Sequence, residues 1–215
     1  MSNIKFRLAK PSDAKQIAYV HYHIRDKYDQ GFFAQVNYSF LKQYYKVMLN
    51  DPNEVFVCAE NEEGKILGFN SGSLDAAKQF SMMRKKKWMF AFPLILTALK
   101  NPQIIKKAID RFKFTKGESD TQYITSSGVR GEYWGWLPNE KDSDASVLMH
   151  ERWIAVMKSL GVKEIFFEVD SINKKIFKFH KVNGAKVLNT FTLPDGRERV
   201  EMVYDLESYK FKFVK

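Results

Sequence analysis

The 215-residue sequence holds one cysteine, Cys58, and four histidines. A single thiol excludes an internal disulfide, and so few soft ligands leave little from which to build a closed Cys/His zinc site. No metal is expected. Glycine (11) and proline (6) are sparse, which excludes collagen, and neither a repeat nor a low-complexity linker interrupts the chain. Long hydrophobic runs are also missing. The longest, Trp88 to Leu99, is interrupted by Pro93 and Thr97 and falls short of the about 20 residues a bilayer span needs. Met1-Ser2-Asn3-Ile4-Lys5 lacks the apolar core of a signal peptide, so the expected location is cytoplasmic. No Gly-x-Ser-x-Gly, Walker loop or His-Glu-x-x-His occurs.

What is present is a globular composition, 45% hydrophobic and 15% aromatic, with an uneven charge. The formal net charge is +10, and acid is scarce where base is dense. Between Arg84 and Lys113 stand nine basic residues (Arg84, Lys85, Lys86, Lys87, Lys100, Lys106, Lys107, Arg111, Lys113) and one acid, Asp110. That segment carries +8 and leaves +2 for everything else. The pI therefore describes one segment on a near-neutral body.

Ile4 to Leu8 alternates as a half-buried strand does. Pro11-Ser12-Asp13 offers a helix N-cap, followed by Ile17, His21, Ile24 and Tyr28 at helical spacing. Asn37 caps a second helix carrying Phe40, Leu41, Tyr44, Tyr45 and Met48. Glu54 to Glu60 and Lys65 to Ser73 read as strands joined at Asn61-Glu62-Glu63-Gly64. The basic segment reads as two helices split at Asn101-Pro102. Then come a strand within Gly128 to Pro138, a helix from Ser143 to Leu160, a central strand from Ile165 to Val169 and a short helix from Ile172 to Val182. Strands Ala185 to Phe191 and Arg199 to Leu206 follow. The expected fold is mixed α/β: strand–helix–helix–strand–strand, helical insert, strand–helix–strand–helix–strand–strand around a mostly antiparallel sheet. One domain spans 1–215, with 76–118 as the insertion.

This order resembles the GNAT superfamily of N-acetyltransferases, and three stretches carry the likeness. Ile4-Lys5-Phe6-Arg7-Leu8-Ala9-Lys10-Pro11-Ser12-Asp13-Ala14 is similar to the family's opening strand and helix start. Trp136-Leu137-Pro138 matches the strand end leading into the cofactor loop. Asn173 with Phe179-His180-Lys181-Val182-Asn183-Gly184-Ala185 resembles the closing motif, an Asn and then an aromatic-Tyr-acid-basic-x-Gly-aromatic run. The resemblance implies acetyl-CoA as co-substrate and an amine as acceptor. It implies cofactor contacts at Trp136, Leu137, Pro138, Lys141, Ser143, Ala145, Ser146, Asn173 and Phe177. The pyrophosphate loop is degenerate: Lys141-Asp142-Ser143-Asp144-Ala145-Ser146 keeps a cation and small residues, but Asp144 replaces a glycine. Such a loop needs backbone N–H groups aimed at phosphate and a helix dipole behind them. His180 stands where the family's Tyr protonates the leaving thiolate, and an imidazole also donates protons. The base that deprotonates the amine is expected at Glu132, with Glu168 as the second candidate. Phe32 and Phe33 fall where family members contact the acceptor.

The insert leaves alternatives open. Arg84-Lys85-Lys86-Lys87-Trp88-Met89-Phe90 joins cations to apolar anchors. It suits an acidic acceptor such as a nucleotide-linked amino sugar, a homodimer contact, or peripheral contact with an anionic membrane. Nucleic acid ranks low, because few aromatics interleave with the basic residues. The competing overall reading is a catalytically silent domain of this fold that binds a partner or a membrane through the insert.

Overall fold

The computed structural model describes residues 4–25, 31–119, 122–140 and 142–214. The expected element order is borne out apart from an added short helix, α2, and a third helix in the insert: β1 (Lys5–Leu8), α1 (Ala14–Ile24), α2 (Phe32–Gln35), α3 (Tyr38–Met48), β2 (Glu54–Glu60), β3 (Ile66–Ser73), α4 (Ala76–Lys85), α5 (Trp88–Ala98), α6 (Gln103–Thr115), β4 (Arg130–Trp136), α7 (Ser143–Ser159), β5 (Glu164–Asp170), α8 (Lys174–Val182), β6 (Lys186–Thr192) and β7 (Glu198–Asp205). One seven-stranded sheet runs β1-β2-β3-β4-β5-β7-β6. Every neighbouring pair is antiparallel except β4 and β5, which are parallel.

Alternation along the strands builds two cores. On β2, Phe56 and Cys58 face α1 and α3, while Val55, Val57 and Ala59 face α7. The first core holds Ile17, Leu41, Tyr45 and Phe69, and the second holds Trp153, Ile154, Met157 and Tyr204.

Two local expectations change. Asp13 does not cap α1. It accepts the Lys10 amide at 2.7 Å and pairs with Arg7 at 2.6 Å, closing a one-turn 3-10 helix over Pro11–Asp13. Burial pushes Asp13 upward, but these bonds outweigh it and hold its carboxyl below the usual range. Arg7 also pairs with Glu60, so one guanidinium ties the edge strand to its neighbour and to α1. Second, the basic segment forms three helices, because the chain turns at Lys86–Lys87 and again at Asn101–Pro102. Pro93 and Thr97, which interrupt the apolar run, both lie on the buried face of α5, where Thr97 Oγ1 donates to the Pro93 carbonyl at 3.0 Å. Asn37 does cap α3, accepting the Phe40 amide at 2.8 Å. Tyr28, expected on the first helix, lies outside the described residues.

The α7 core depends on a close approach. Trp153 lies against β3 and donates its indole N–H to the Val55 carbonyl at 3.0 Å. A Cβ on Gly72 would overlap the Trp153 ring and the Arg130 carbonyl, and one on Gly131 would touch the same ring at 3.5 Å. At position 72 only a residue without a side chain lets α7 sit this low on the sheet. Gly72→Ala is therefore expected to cost about 1–3 kcal/mol through overpacking, read as a lower urea midpoint at unchanged m-value.

Candidate active site

β4 and β5 share a single register pair, Arg130↔Phe166, supported by a 3.0 Å bond from the Phe166 amide to the Val129 carbonyl. Beyond it no ladder pair joins them, so the sheet opens toward their C-terminal ends. A β-bulge shapes the β4 side of the opening. Asn70 faces Trp134 and Gly72 faces Gly131, which leaves Ser71 opposite both Glu132 and Tyr133. Glu132 and Tyr133 therefore turn to the α1–α3 face together, while Gly131 and Trp134 look to the α7 face.

On the α7 face, α8 brings His180 into the opening. Its ring lies 4.5 Å from Phe167 of β5 and 6.1 Å from Trp134 of β4, centroid to centroid. His180 Nδ1 shares a 2.7 Å hydrogen bond with Tyr204 Oη. Burial pushes His180 down to about 3, so the ring is neutral at physiological pH. Trp134 stacks on His150 at 4.6 Å and donates its indole N–H to Ser146 Oγ at 3.0 Å. Burial also holds His150 well below the ordinary histidine value. Asn173 caps α8, accepting the Ile176 amide at 3.4 Å, and Phe177 packs half-buried against the α7 core.

The expected cofactor loop forms the start of α7. Asp142 caps it, accepting the Ala145 amide at 2.9 Å. Ser143 and Asp144 are exposed in the first turn, where backbone N–H groups have no helical partner. Lys141 lies outside the described residues. At the end of β4, Trp136 donates its indole N–H to the Glu140 carbonyl, the buried Leu137 bonds the Leu67 carbonyl through its amide at 2.8 Å, and Pro138 follows at the surface cleft with Tyr19 and His23.

The opposite face is charged. Glu132 is buried and takes bonds from Arg130 and from Gln79 Nε2, the latter at 2.7 Å. Gln79, from α4, also donates to Glu54 Oε1 at 2.9 Å. Glu54 Oε2 and Glu132 Oε2 have no partner among the described residues. Burial first, then the Glu132 charge, pushes Glu54 up to about 9, so it is protonated at neutral pH. Glu168 sits elsewhere: its Oε1 lies 2.7 Å from Thr125 Oγ1, tying β5 to the loop ahead of β4. Phe33 packs 5.6 Å from Tyr133, and Phe32 is buried beneath the insert.

Five residues not proposed for the site from the sequence complete this face. Arg197 pairs with Asp170 at 2.8 Å and with Asp195 at 3.1 Å, and Arg199 pairs with Asp170 at 2.7 Å. Arg111 of α6 lies over the rings of Phe32 and Tyr123, at 5.3 and 5.2 Å, with no carboxylate on it among the described residues. Arg199 reaches the Tyr123 carbonyl at 3.3 Å, and Arg197 Nη2 lies where a Cβ on Gly31 would meet it at 3.2 Å. Three guanidiniums thus gather around Phe32 and Tyr123, against two acids. Arg111 was legible in principle: with Ile104 and Ala108 it lies on the inward stripe of α6, an unusual place for a cation. Glu54 had no such signal, because its neighbours come from β4 and α4.

The Glu54 proton has a consequence for stability. A carboxyl raised by folding binds its proton more tightly in the folded chain, so stability falls as pH rises from about 4.5 towards 9. Glu54→Gln is expected to flatten that slope, as urea midpoints across the same window will show.

No family model and no curated protein matches the sequence. Solved structures do match. Arabidopsis thaliana NAA60 in complex with acetyl-CoA is 14% identical over 96% of this chain and 100% of its own, with a TM-score of 0.57. An N-acetyltransferase from Staphylococcus aureus Mu50 is 14% identical over 95% and 99%, at a TM-score of 0.60. A GNAT-family acetyltransferase from Streptococcus pneumoniae is 10% identical over 94% and 99%, at 0.56. With the opened parallel pair, the bulged β4 and the helices on both faces, this chain has the fold of the GNAT acetyltransferases.

Proposed function

We propose that the chain transfers an acetyl group from acetyl-CoA to an amine on a small acceptor that also bears an anionic group. The observation that carries the reading is the opening between β4 and β5, flanked by Glu132 on one face and His180 on the other. Parted strands leave backbone N–H and C=O groups along the facing edges without ladder partners. The amide-bearing arm of coenzyme A suits such edges. The first turn of α7 suits its diphosphate in part: the Ser143 and Asp144 amides remain for a ligand, while Asp142 already takes the Ala145 amide. Ser146, Asn173, Phe177 and the Trp136-Leu137-Pro138 strand end border this path. Acetyl-CoA supplies the thioester carbonyl that the amine attacks.

The residues of this chain then divide the proton work. An ammonium must lose a proton before its nitrogen attacks, and Glu132 offers an oxygen with no other partner for it. The proton held by Glu54 keeps a second negative charge away from Glu132. As the carbon–sulfur bond breaks, charge gathers on sulfur. His180, neutral and held by Tyr204, acts there as a hydrogen-bond donor, not as an imidazolium acid. Glu168, engaged by Thr125, serves the loop and is the less suited base. Phe32, Phe33 and Tyr133 wall the acceptor side, and Arg111, with Arg197 and Arg199 beside it, receives the acceptor's anion. A nucleotide-linked amino sugar is one acceptor with these features.

Calorimetric titration should detect acetyl-CoA binding in the sub-millimolar range, and no binding there overturns the enzyme reading. Glu132→Gln should keep that affinity and lower turnover by about 10²–10⁴, while His180→Phe should lower it by about tenfold without removing an ionisation from the pH profile. In a thiol-release screen of paired amines, the anionic member of each pair should be preferred. Arg111→Gln should raise its KM about tenfold or more and leave the neutral amine unchanged. Equal effects on both members would remove Arg111 from acceptor recognition.

A further inference from the structure

The helix α5 is apolar on every side, and half of it is uncovered. Its inner face, with Phe90, Pro93, Leu94, Thr97 and Ala98, packs on the α1–α3 core. Its outer face presents Trp88 (78% exposed), Phe92 (68%), Ile95 (55%) and Leu99 (77%). At about 100° per residue these four lie within roughly 60° of one another, a single stripe along the helix. The adjacent α6 adds exposed Ile105 and Ile109. A helix apolar all round belongs in an interior, and a contiguous exposed patch of this kind marks a docking surface.

The charge around the stripe identifies what covers it. Lys85 and Lys87 are exposed at one end and Lys100 at the other, with Lys106 and Lys113 exposed on α6. None of the five pairs with a carboxylate among the described residues. Lys87 Nζ lies 5.2 Å over the Trp88 ring, which puts a cation beside the apolar anchor at the stripe's end. A second copy of the chain is a poor cover: an isologous contact would set a +8 segment against its twin. An anionic lipid surface meets both requirements, because headgroups neutralise the lysines while the acyl boundary takes the stripe. We infer that α5 and α6 dock this protein in the plane of an anionic membrane, with Trp88, Phe92, Ile95 and Leu99 in the acyl boundary and the lysines at the headgroups. No helix among the described residues is long and apolar enough to cross a membrane, so the contact is peripheral. The inference stands independently of acetyl transfer.

The test is flotation of the full chain with vesicles of phosphatidylcholine alone or of phosphatidylcholine with phosphatidylserine. Recovery is expected with phosphatidylserine present, falling about tenfold or more in its absence or at high salt. Trp88→Asn with Phe92→Asn, and separately Lys85→Glu with Lys87→Glu, should each lower recovery to a similar extent. All four side chains are solvent-facing, and circular dichroism checks that both variants remain folded. Absence of flotation, or equal flotation on both vesicle types and in both variants, overturns the inference. So does a dimer by light scattering that Trp88→Asn with Phe92→Asn dissociates while no vesicle binding occurs, since the stripe would then be a protein interface.

Discussion

The parallel pairing of β4 with β5 at one register position is the constraint on which the molecule turns. An antiparallel neighbour would have closed the sheet along its full length. Here the strands enter side by side at Arg130 and Phe166 and then separate, so helices must fill and flank the space. α7 sits low because Gly72 admits Trp153. α8 follows with His180, which touches an aromatic ring from each strand. The β4 bulge uses the slack to turn Glu132 and Tyr133 to the other side. Each of these placements depends on the strands parting.

The two faces of the opening differ in electrostatic character, and the difference follows from what covers them. Against α7 and α8 the groups are aromatic rings and two histidines that burial keeps neutral. Against α2, α4 and α6 they are carboxylates and guanidiniums in excess of one another at different points: two acids around Arg130, and Arg197 and Arg199 on Asp170 and Asp195 with Arg111 beside them. A proton on Glu54 balances the first cluster. The second retains a cation, Arg111, that has no carboxylate on it among the described residues. The insert supplies Gln79 to one cluster and Arg111 to the other, while its outer surface carries an unrelated apolar stripe ringed by lysines. One segment thus has an inward and an outward role, which its net charge alone does not distinguish.

Much of this was legible beforehand. The Asn37 cap, the strand from Glu54 to Glu60 and the helices α3 and α7 are read from short-range signals, and they appear where expected. The closing run around His180 lies on α8, where the ring sits between Phe167 of β5 and Trp134 of β4. Other expectations failed for physical reasons. The insert was read as two helices, but the chain also turns at Lys86–Lys87. Asp13 looked like a cap, but Arg7, six residues earlier on β1, competes for its oxygens.

Periodicity, capping and turn chemistry act over a few residues, so the chain itself dictated its elements, their order and the concentration of base between β3 and β4. Which residues meet across the sheet was beyond its reach. Glu54 meets Glu132, and Arg111 joins Arg197 and Arg199, because of strand order, one bulge and the packing of the insert, all set by contacts between residues far apart in sequence. The same holds for exposure. The apolar run Trp88 to Leu99 reads identically whether buried or bare, and only its partial packing on α1–α3 determined which half remained in water.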